Sequence, residues 1–393
     1  MSRRVTVAAL GTAQTLAWGS SYYIPAILAV PMARDLGLST AWVFSCFSAA
    51  LLLTAVLGPA VGRVIDARGG RDVLVVSNLV LAAGLVILAL AHGPVVLAIG
   101  WVVLGIGMAA GLYDAAFATL TGLYGRAARG PITGITLIAG FASTVGWPLS
   151  AALDAELGWR GACLVWAGLH VVVGLPINRF LIPQAPPPAP AGAGGAEAVE
   201  APRQRGAMTL LAFTFASAWF VTGAMAVHLP RLIEAMGASA AGAIAAGALV
   251  GPAQVAARIA EFGLLRRAHP LISARIATAL HPVGAVLLVV LGGGPVGAAA
   301  FALLHGAGNG LLTIARGTLP LAIFGPVGYG ARTGVLGAPA RGTQALAPFL
   351  FGLVLDNAGP RWALVLSSGL VLAALAALLV LRRPASATAG ASS

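Results

Sequence analysis

The stretch GPAVGRVIDARGGR at residues 58–71 returns in modified form as GPAQVAARIAEFGLLRR at residues 251–267. Each copy has a Gly-Pro pair, then an arginine three residues before an acid, then a second arginine: Arg63, Asp66 and Arg71 in the first copy, and Arg258, Glu261 and Arg266 in the second. Further along, Thr133 and Gly134 recur at an offset of 200 residues as Thr333 and Gly334. The chain therefore contains two parallel copies of one unit.

The composition indicates that the solvent of this chain is a lipid bilayer. Of its 393 residues, 59% are hydrophobic and 9% are charged, and the mean hydropathy is +0.95. A soluble domain averages about 25% charged residues, so no soluble core could bury this much apolar surface. The net charge of +12 comes from arginine alone, because the sequence has no lysine. Those arginines lie mostly in short loops between apolar segments, which favours a membrane over a nucleic acid as the partner.

Twelve apolar segments are long enough to cross a bilayer, which takes about 20 helical residues. They cover residues 5–30, 40–65, 73–92, 94–124, 130–153, 160–181, 207–234, 239–265, 271–292, 296–324, 330–355 and 361–381. This pattern predicts an all-α membrane protein with twelve transmembrane helices in two parallel-repeat six-helix bundles, at residues 1–181 and 207–382. Many secondary transporters are built from such repeats and hold the substrate between the halves.

Residues 182–206 and 383–393 stand apart from the apolar segments. The first stretch has six prolines among alanine and glycine, which is typical of a linker, and the second is predicted to be a tail. Sixteen arginines lie in loops and ends on the side of the linker, against four in the opposite loops. The positive-inside rule therefore places both termini in the cytoplasm, and we expect a multi-pass protein of a bacterial inner (plasma) membrane.

The first copy of the repeated loop resembles the signature loop of the major facilitator superfamily, which has a glycine, three residues, an acid, and then glycine and basic residues. The matching residues are Gly62, Asp66, Gly69 and Arg71. Ala67 stands where the family usually has a basic residue just after the acid. Together with the twelve segments, the linker and the parallel halves, the resemblance covers the whole chain. It implies alternating access between two bundles, but no particular substrate.

A second and shorter similarity concerns segment five. From Tyr124 through Arg129 to Gly134, the spacing is partly similar to a signature of the monocarboxylate transporter branch. The usual cluster of basic residues is reduced here to Arg126 and Arg129. This similarity adds a monocarboxylate to the substrates that the sequence suggests.

The repeated loops are predicted to act as gates. Asp66 lies at the cytoplasmic end of a helix, where it can accept hydrogen bonds from arginines or from the N-terminus of a neighbouring helix. Such a contact can form in one conformation and break in the other, although the charges could also only cap helices and enforce topology. By the repeat, Arg258 and Glu261 are expected near the cytoplasmic face. The predicted gating residues are Gly62, Arg63, Asp66, Gly69, Arg71, Arg258, Glu261 and Arg266.

Three ionisable residues remain near mid-depth: Asp114 in segment four, Arg316 in segment ten and Arg341 in segment eleven. A charge at this depth costs at least about 2.5–3.5 kcal/mol, so such residues usually face a cavity or a partner. The family resemblance implies that Asp114 and Arg316 face each other across the central cavity, with Arg341 behind. Either an arginine binds an anionic group while Asp114 accepts a proton, or the charges form a fixed internal salt bridge.

Polar and aromatic residues in the same segments are further candidates for binding substrate or protons. Trp18 and Tyr22 share a helix face and could form a cavity wall, or else pack as an aromatic belt. Asn309 could bond to a substrate. His228 and His305 could carry a proton or serve as polar packing groups, and His281 is expected to be peripheral.

The sequence has no His-Glu-x-x-His motif, no phosphate-binding glycine loop and no cysteine–histidine metal spacing, so it predicts no enzyme, no cofactor and no metal site. We expect a secondary active transporter that moves a small organic anion, for example a monocarboxylate, in symport with a proton. Alternating access and a monomeric state are expected. The alternatives are an exporter of a toxic small solute, such as a drug or an arsenic oxyanion, and a sensor or scaffold that moves no solute.

Overall fold

Helices dominate the structure, a computed structural model that describes residues 1–185, 197–265 and 267–381, with the backbone alone for residues 197–203. No strand occurs within those ranges. The helices of the first half are α1 (Arg3–Ser20), α2 (Pro25–Asp35), α3 (Thr40–Arg68), α4 (Arg71–Ala89), α5 (Pro94–Gly111), α6 (Tyr113–Tyr124), α7 (Arg129–Ile138), α8 (Ala142–Leu169) and α9 (Leu175–Phe180). Those of the second half are α10 (Glu197–Ala235), α11 (Ala240–Ala248), α12 (Val250–Ala260), α13 (Pro270–Leu291), α14 (Pro295–Phe324), α15 (Tyr329–Asn357) and α16 (Pro360–Val380). The predicted tail and part of the predicted linker lie outside the described residues.

The helices follow the predicted segments. Eight helical stretches in the described part of the chain are long and apolar enough to cross a membrane, and one of them, Pro94–Phe180, contains segments four to six. Of the two remaining segments, segment one is divided between α1 and α2, and segment eleven is α15. Helix α15 carries two prolines and two arginines, which lower its hydropathy. The fold is all-helical, and its helices are consistent with twelve membrane crossings.

The backbone reproduces the sequence repeat. Pairs of glycines with positive φ angles stand at equivalent turns of the two halves: Gly37 and Gly237 (64° and 106°), Gly125 and Gly325 (54° and 76°), and Gly158 and Gly359 (70° and 86°). Other side chains rarely adopt this region, so glycine suits these turns. After the first of them, Ser39 and Ser239 cap the next helix in each half. The two halves therefore turn at matching positions along the chain.

Segments one and four, which were predicted to be continuous, have breaks in the helical backbone. Segment one stops at Ser20 and resumes as a helix at Pro25. Segment four stops at Gly111, because Leu112 has an extended backbone (φ −88°, ψ −170°). A break of this kind frees carbonyl groups that neighbours must satisfy. The Gln14 side chain does so by donating a hydrogen bond to the Gly111 carbonyl at 2.6 Å.

Contacts of the N-terminus and of the linker define one side of the molecule. Arg3 donates a hydrogen bond to the Ala127 carbonyl, and Arg71 donates one to Gln184 in the linker. We call this side the linker side and the opposite one the far side. Helices α3, α6 and α12 end towards the linker side, whereas α4, α7 and α15 start from it.

The two halves meet along α3 with α15, and along α7 with α12 and α14. Small residues permit the closest approach, since Gly58 lies against Gly334 and Gly62 lies against Gly330. On the linker side, Leu321 and Tyr329 of the second half join an apolar cluster of the first half. At the far side, α2 and α11 pack against helices of their own halves.

Candidate functional site

A carboxylate and two guanidinium groups meet between the halves at mid-depth. The Asp114 Oδ2 atom accepts one hydrogen bond from Arg316 Nη2 at 2.7 Å and another from Arg341 Nη2 at 2.9 Å. The two arginine side chains are 9% and 6% exposed, and the Asp114 side chain is 16% exposed. The structure thus brings the three mid-depth charges together. Arg341 does not lie behind the pair, as the sequence suggested, because it reaches the same carboxylate oxygen directly.

The break in segment four positions Asp114. Because Leu112 interrupts the helix, Asp114 falls in the first turn of α6. A helix N-terminus favours a negative charge by about 0.3–1 kcal/mol, so this local structure stabilises the ionised carboxylate. The sequence identified the charge of Asp114 but not the helix break that places it at a helix N-terminus.

Two neighbours shape the space around Arg316. Its guanidinium lies 4.9 Å from the centre of the Trp219 ring, within the range of a cation–π contact. Gly337 leaves room for it, since a Cβ atom there would lie 2.8 Å from Arg316 Nη2 and 3.4 Å from Asp114 Oδ2. Sequence reasoning identified neither Trp219 nor Gly337, because an apolar ring and a glycine are common throughout such segments.

An aromatic group adjoins the ion cluster. The Trp18 ring lies 5.0 Å from that of Tyr22 and 4.9 Å from that of Tyr113. The Tyr22 hydroxyl accepts a hydrogen bond from Gln344 Nε2 at 2.9 Å. Gln344 follows Arg341 by three residues on the same face of α15, so the aromatic group and the ion cluster are neighbours. Gln344 and Tyr113 are further residues of the region that the sequence did not reveal.

Asn309 and His305 lie in a different place from the ion cluster. Asn309 Oδ1 accepts a hydrogen bond from Thr222 Oγ1 at 3.3 Å. The Nδ1 atoms of His281 and His305 are 3.0 Å apart. All four side chains line one small pocket enclosed by helices of the second half. His281 was expected to be peripheral, and that expectation was wrong, because this residue is buried against His305.

His228 makes a contact within its own half. Its Nε2 donates a hydrogen bond to the Pro348 carbonyl at 2.7 Å. Gly352 lies beside the ring, and a Cβ atom there would come within 3.2 Å of it. This arrangement joins α10 to α15, and a role of His228 in carrying a proton stays a prediction.

On the linker side, the acid of the first repeated loop caps a helix of the other half. Asp66 Oδ1 accepts a hydrogen bond from the Gly330 N–H at 2.8 Å, and Oδ2 accepts one from the Ala331 N–H at 2.8 Å. These N–H groups lie in the first turn of α15, where they lack partners within the helix and where a negative charge is favoured. Gly62 packs so closely on Gly330 that a Cβ atom would overlap the Gly330 carbonyl group.

The acid of the second loop binds the equivalent helix end of the first half. Glu261 Oε1 accepts a hydrogen bond from Arg129 Nη2 at 3.2 Å, and Arg129 Nη2 also donates to the Leu265 carbonyl at 3.0 Å. Arg129 begins α7. It was not among the predicted gating residues. The repeat could have revealed it. Arg129 lies four residues before Thr133, and Tyr329, at the start of α15, lies four residues before Thr333. Arg129 and Tyr329 are therefore equivalent positions of the two halves.

The other residues of the predicted gates have varied surroundings. Arg63 is exposed. Arg71 pairs with Asp72 and bonds to Gln184, so its contacts lie within the first half and the linker. Gly69 ends α3 with a φ angle of 82°. Arg266 lies outside the described residues.

Arg258 is not near the linker-side surface, where the repeat placed it. The residue is 5% exposed, and its Nη1 donates to the Thr136 carbonyl of α7 at 3.1 Å. Helical side chains extend back towards the start of their helix, which for α12 is towards mid-depth. Gly140 provides the space, because a Cβ atom there would overlap the guanidinium. Arg258 therefore occupies an interior position between the halves, unlike Arg63.

Comparison with known families agrees with this fold. The family model of the Major Facilitator Superfamily matches residues 10–304. The chain belongs to this superfamily. It is thus a multi-pass membrane protein of a transporter family, whose members are generally not enzymes. A search of curated proteins finds no match to the sequence.

Solved structures of the same fold align over nearly the whole chain. The human organic anion transporter MFSD10 (TETRAN) is 17% identical, with a TM-score of 0.71, and the alignment covers 96% of this chain and 99% of that one. A variant of the Escherichia coli fucose:proton symporter FucP is 14% identical, with a TM-score of 0.73 and the same coverage of 96% and 99%. FucP in the outward conformation is 14% identical, with a TM-score of 0.74, again covering 96% and 99%. At these sequence identities the similarity to the three structures shows a shared fold alone.

Proposed function

We propose that this protein is a secondary active transporter that moves a small organic anion together with a proton. The simplest such substrate has a single carboxylate. The proposal rests above all on one observation, the contact of both Arg316 and Arg341 with one oxygen of Asp114.

The charges of this cluster favour an anion. Two guanidiniums on one carboxylate leave one positive charge unbalanced at mid-depth. Charges in the membrane interior are expensive unless they are paired, so a negatively charged substrate would complete the cluster. A guanidinium presents its N–H groups in a planar fork that fits a carboxylate at two points. A neutral or cationic solute would have no such advantage.

Asp114 supports coupling to a proton. Its carboxylate occupies N–H groups of Arg316 and Arg341 that a substrate would need. When Asp114 takes up a proton, it ceases to be a charged acceptor, and both arginines become free to bind the substrate. The partial exposure of its side chain, 16%, allows water to deliver that proton. Proton and anion would then bind together and leave together.

The aromatic group offers a further substrate contact. The Trp18 indole N–H is buried and has no hydrogen-bond partner in the described residues. Buried polar groups are normally paired, so this N–H is available to a ligand that enters the region beside Tyr22. The tyrosine and Gln344 would then form the wall of the site next to Arg341.

The linker-side contacts support alternating access. Two contacts join the halves on this side: the hydrogen bonds of Asp66 to the start of α15, and the ion pair of Glu261 with Arg129. We take this side as the cytoplasmic one, since the arginines are concentrated there. Both contacts would close the cytoplasmic side in the present conformation and separate when the site opens inward. The protein would act as a monomer in a bacterial inner membrane, with both termini in the cytoplasm.

The test begins with a thermal-shift screen of the purified protein against small organic acids, because a ligand stabilises the folded state that it binds. Acids that bind are then offered to proteoliposomes that contain a pH-sensitive dye. We expect uptake that is driven by external acid and accompanied by internal acidification. A response only to drugs or an arsenic oxyanion would favour an exporter of toxic solutes. Binding without uptake, and without a change in the accessibility of either side, would favour a sensor or scaffold.

A further inference from the structure

Arg258 is a third buried guanidinium, and no carboxylate of the described residues pairs with it. Its N–H groups bond only to neutral oxygen atoms: the Thr136 carbonyl at 3.1 Å, the Gly310 carbonyl at 3.5 Å and the Gln254 side chain at 3.5 Å. Glu261, the nearest acid along the chain, is paired with Arg129. A buried charge without an opposite charge is unfavourable, and Arg258 has hydrogen-bond partners but no negatively charged one among the described residues.

The position of Arg258 relates it to the central site. Its guanidinium lies between α12 and α7, where the two halves meet. It lies against Thr136 of α7 and Gly140 just beyond that helix, and Thr15, about one turn before Trp18 in α1, donates a hydrogen bond to the Ile138 carbonyl of the same stretch at 3.5 Å. Tyr113 directly precedes Asp114, and its ring packs on Trp18. Arg258 therefore belongs to the same aromatic-lined region as the ion cluster.

We propose that Arg258 is a third charge of the substrate site, and that the preferred substrate is an organic anion with two negative charges, such as a dicarboxylate. This inference rests on the proposed function and narrows it. Arg258, Arg316 and Arg341 leave two positive charges unbalanced while Asp114 is ionised and three once it is protonated, so a dianion balances more of the charge than a monoanion in either state. One carboxylate of the substrate would bind Arg316 and Arg341. The other would bind Arg258 in place of its neutral partners.

A pair of acids that differ in a single charged group tests this inference. Succinate and butyrate have the same number of carbon atoms, and near neutral pH they carry two charges and one. Calorimetry of the purified full-length protein should show that succinate binds at least about tenfold more tightly than butyrate. Arg258→Gln should reduce this ratio to about one by weakening the binding of succinate, while butyrate stays within about threefold of its wild-type affinity.

Two further variants control the measurement. Arg267→Gln removes an exposed arginine from the linker side and should keep the wild-type ratio of affinities. Arg258→Lys keeps the charge but lacks the planar fork, so its ratio should fall between those of the wild type and Arg258→Gln. If Arg258→Gln does not fold, the wild-type ratio and the Arg258→Lys ratio together decide the question.

The possible failures are distinct. Equal binding of succinate and butyrate by the wild type would overturn the two-charge inference and leave the proposed function intact. An equal loss of affinity for both acids in Arg258→Gln would mean that Arg258 only holds α12 to α7, which also overturns the inference. If neither acid binds and no other organic anion stabilises the protein, the proposed function fails as well.

Discussion

The backbones of Gly62 in α3 and Gly330 in α15 touch on the linker side, and neither position has room for a Cβ atom. A Cβ atom on Gly62 would overlap the Gly330 carbonyl group, and one on Gly330 would lie 2.8 Å from Asp66 Oδ1. At Gly58, one turn earlier in α3, the nearest atom of Gly334 would be 3.7 Å from an added Cβ atom, which is an ordinary contact. The close contact of the two halves on this side therefore depends on Gly62 and tolerates a methyl group at Gly58.

Gly62→Ala should weaken this contact and shift the protein towards a conformation that is open on the linker side. The measurement is the rate at which a thiol reagent labels Thr333→Cys, a buried position of α15, in a protein without the two native cysteines. We expect labelling to become several times faster in Gly62→Ala and to stay unchanged in Gly58→Ala. Equal rates in the two variants would contradict the role given to Gly62.

Asp66→Asn should slow transport while expression and substrate affinity stay nearly intact, because Asp66 binds the end of α15 and not the central site. The interaction of a carboxylate with a helix end is worth about 0.3–1 kcal/mol, rising to about 2 kcal/mol in partly buried positions. Initial uptake rates and calorimetric affinities of the same preparation check this prediction. Transport at the wild-type rate would show that Asp66 is only a helix cap.

Arg129→Gln should lower the melting temperature more than Glu261→Gln. The first change leaves a carboxylate with a 2% exposed side chain without its charged partner. The second leaves Arg129 its hydrogen bonds to the carbonyls of Leu265 and Ala268. We expect a loss of about 1–3 kcal/mol for Arg129→Gln and a smaller loss for Glu261→Gln. The reverse order would mean that the ion pair does not govern the stability of this contact.

Charge and repetition account for most of what the sequence could predict about the site. Asp114, Arg316 and Arg341 could be selected because a charge at mid-depth requires a partner or a cavity, whatever the details of packing. Asp66 could be selected because its loop occurs twice. The family resemblance then placed segments four and ten opposite each other, which brought Asp114 and Arg316 together.

Uncharged residues and local geometry could not be predicted in this way. Gln14 bonds to a carbonyl group that is free only because α5 ends at Gly111, and no residue type in that stretch requires a break. The repeat gave the position of Arg258 along its helix but not its neighbours. The space beside Gly140 lets its guanidinium turn inward. The sequence suggested Asn309 as a substrate ligand because it does not show that Thr222, on another helix, bonds to the Asn309 side chain.

Gly337→Ala should lower the affinity for the organic anion without unfolding the protein. The added methyl group would press on Arg316 Nη2, at 2.8 Å, and so displace the guanidinium from Asp114. Gly342→Ala is the matched control, because an added Cβ atom at Gly342 meets no atom within 4 Å. Calorimetry and melting temperatures of both variants check this prediction. An equal affinity in the two variants would mean that the substrate does not depend on the position of Arg316.

A fixed salt bridge between Asp114 and Arg316 makes a different prediction from an anion site. Removing only the arginine from a fixed pair would leave Asp114 with Arg341 alone and lower the stability. The double variant of Arg316→Ala and Asp114→Asn would then be more stable than Arg316→Ala and would keep its substrate affinity. An anion site predicts instead that the double variant binds the substrate weakly, because the arginine is still missing.

Calorimetry of the organic acid found in the thermal-shift screen, with wild-type protein and with Arg316→Ala, tests most directly whether Arg316 holds the substrate anion. We expect binding to Arg316→Ala to be weaker by about 2–5 kcal/mol, because a charge-assisted contact is lost from a buried site. Arg316→Lys should recover only part of this loss, since lysine cannot hold a carboxylate at two points. Melting temperatures show whether each variant is folded. An unchanged affinity in a folded Arg316→Ala protein would show that Arg316 does not hold the substrate anion.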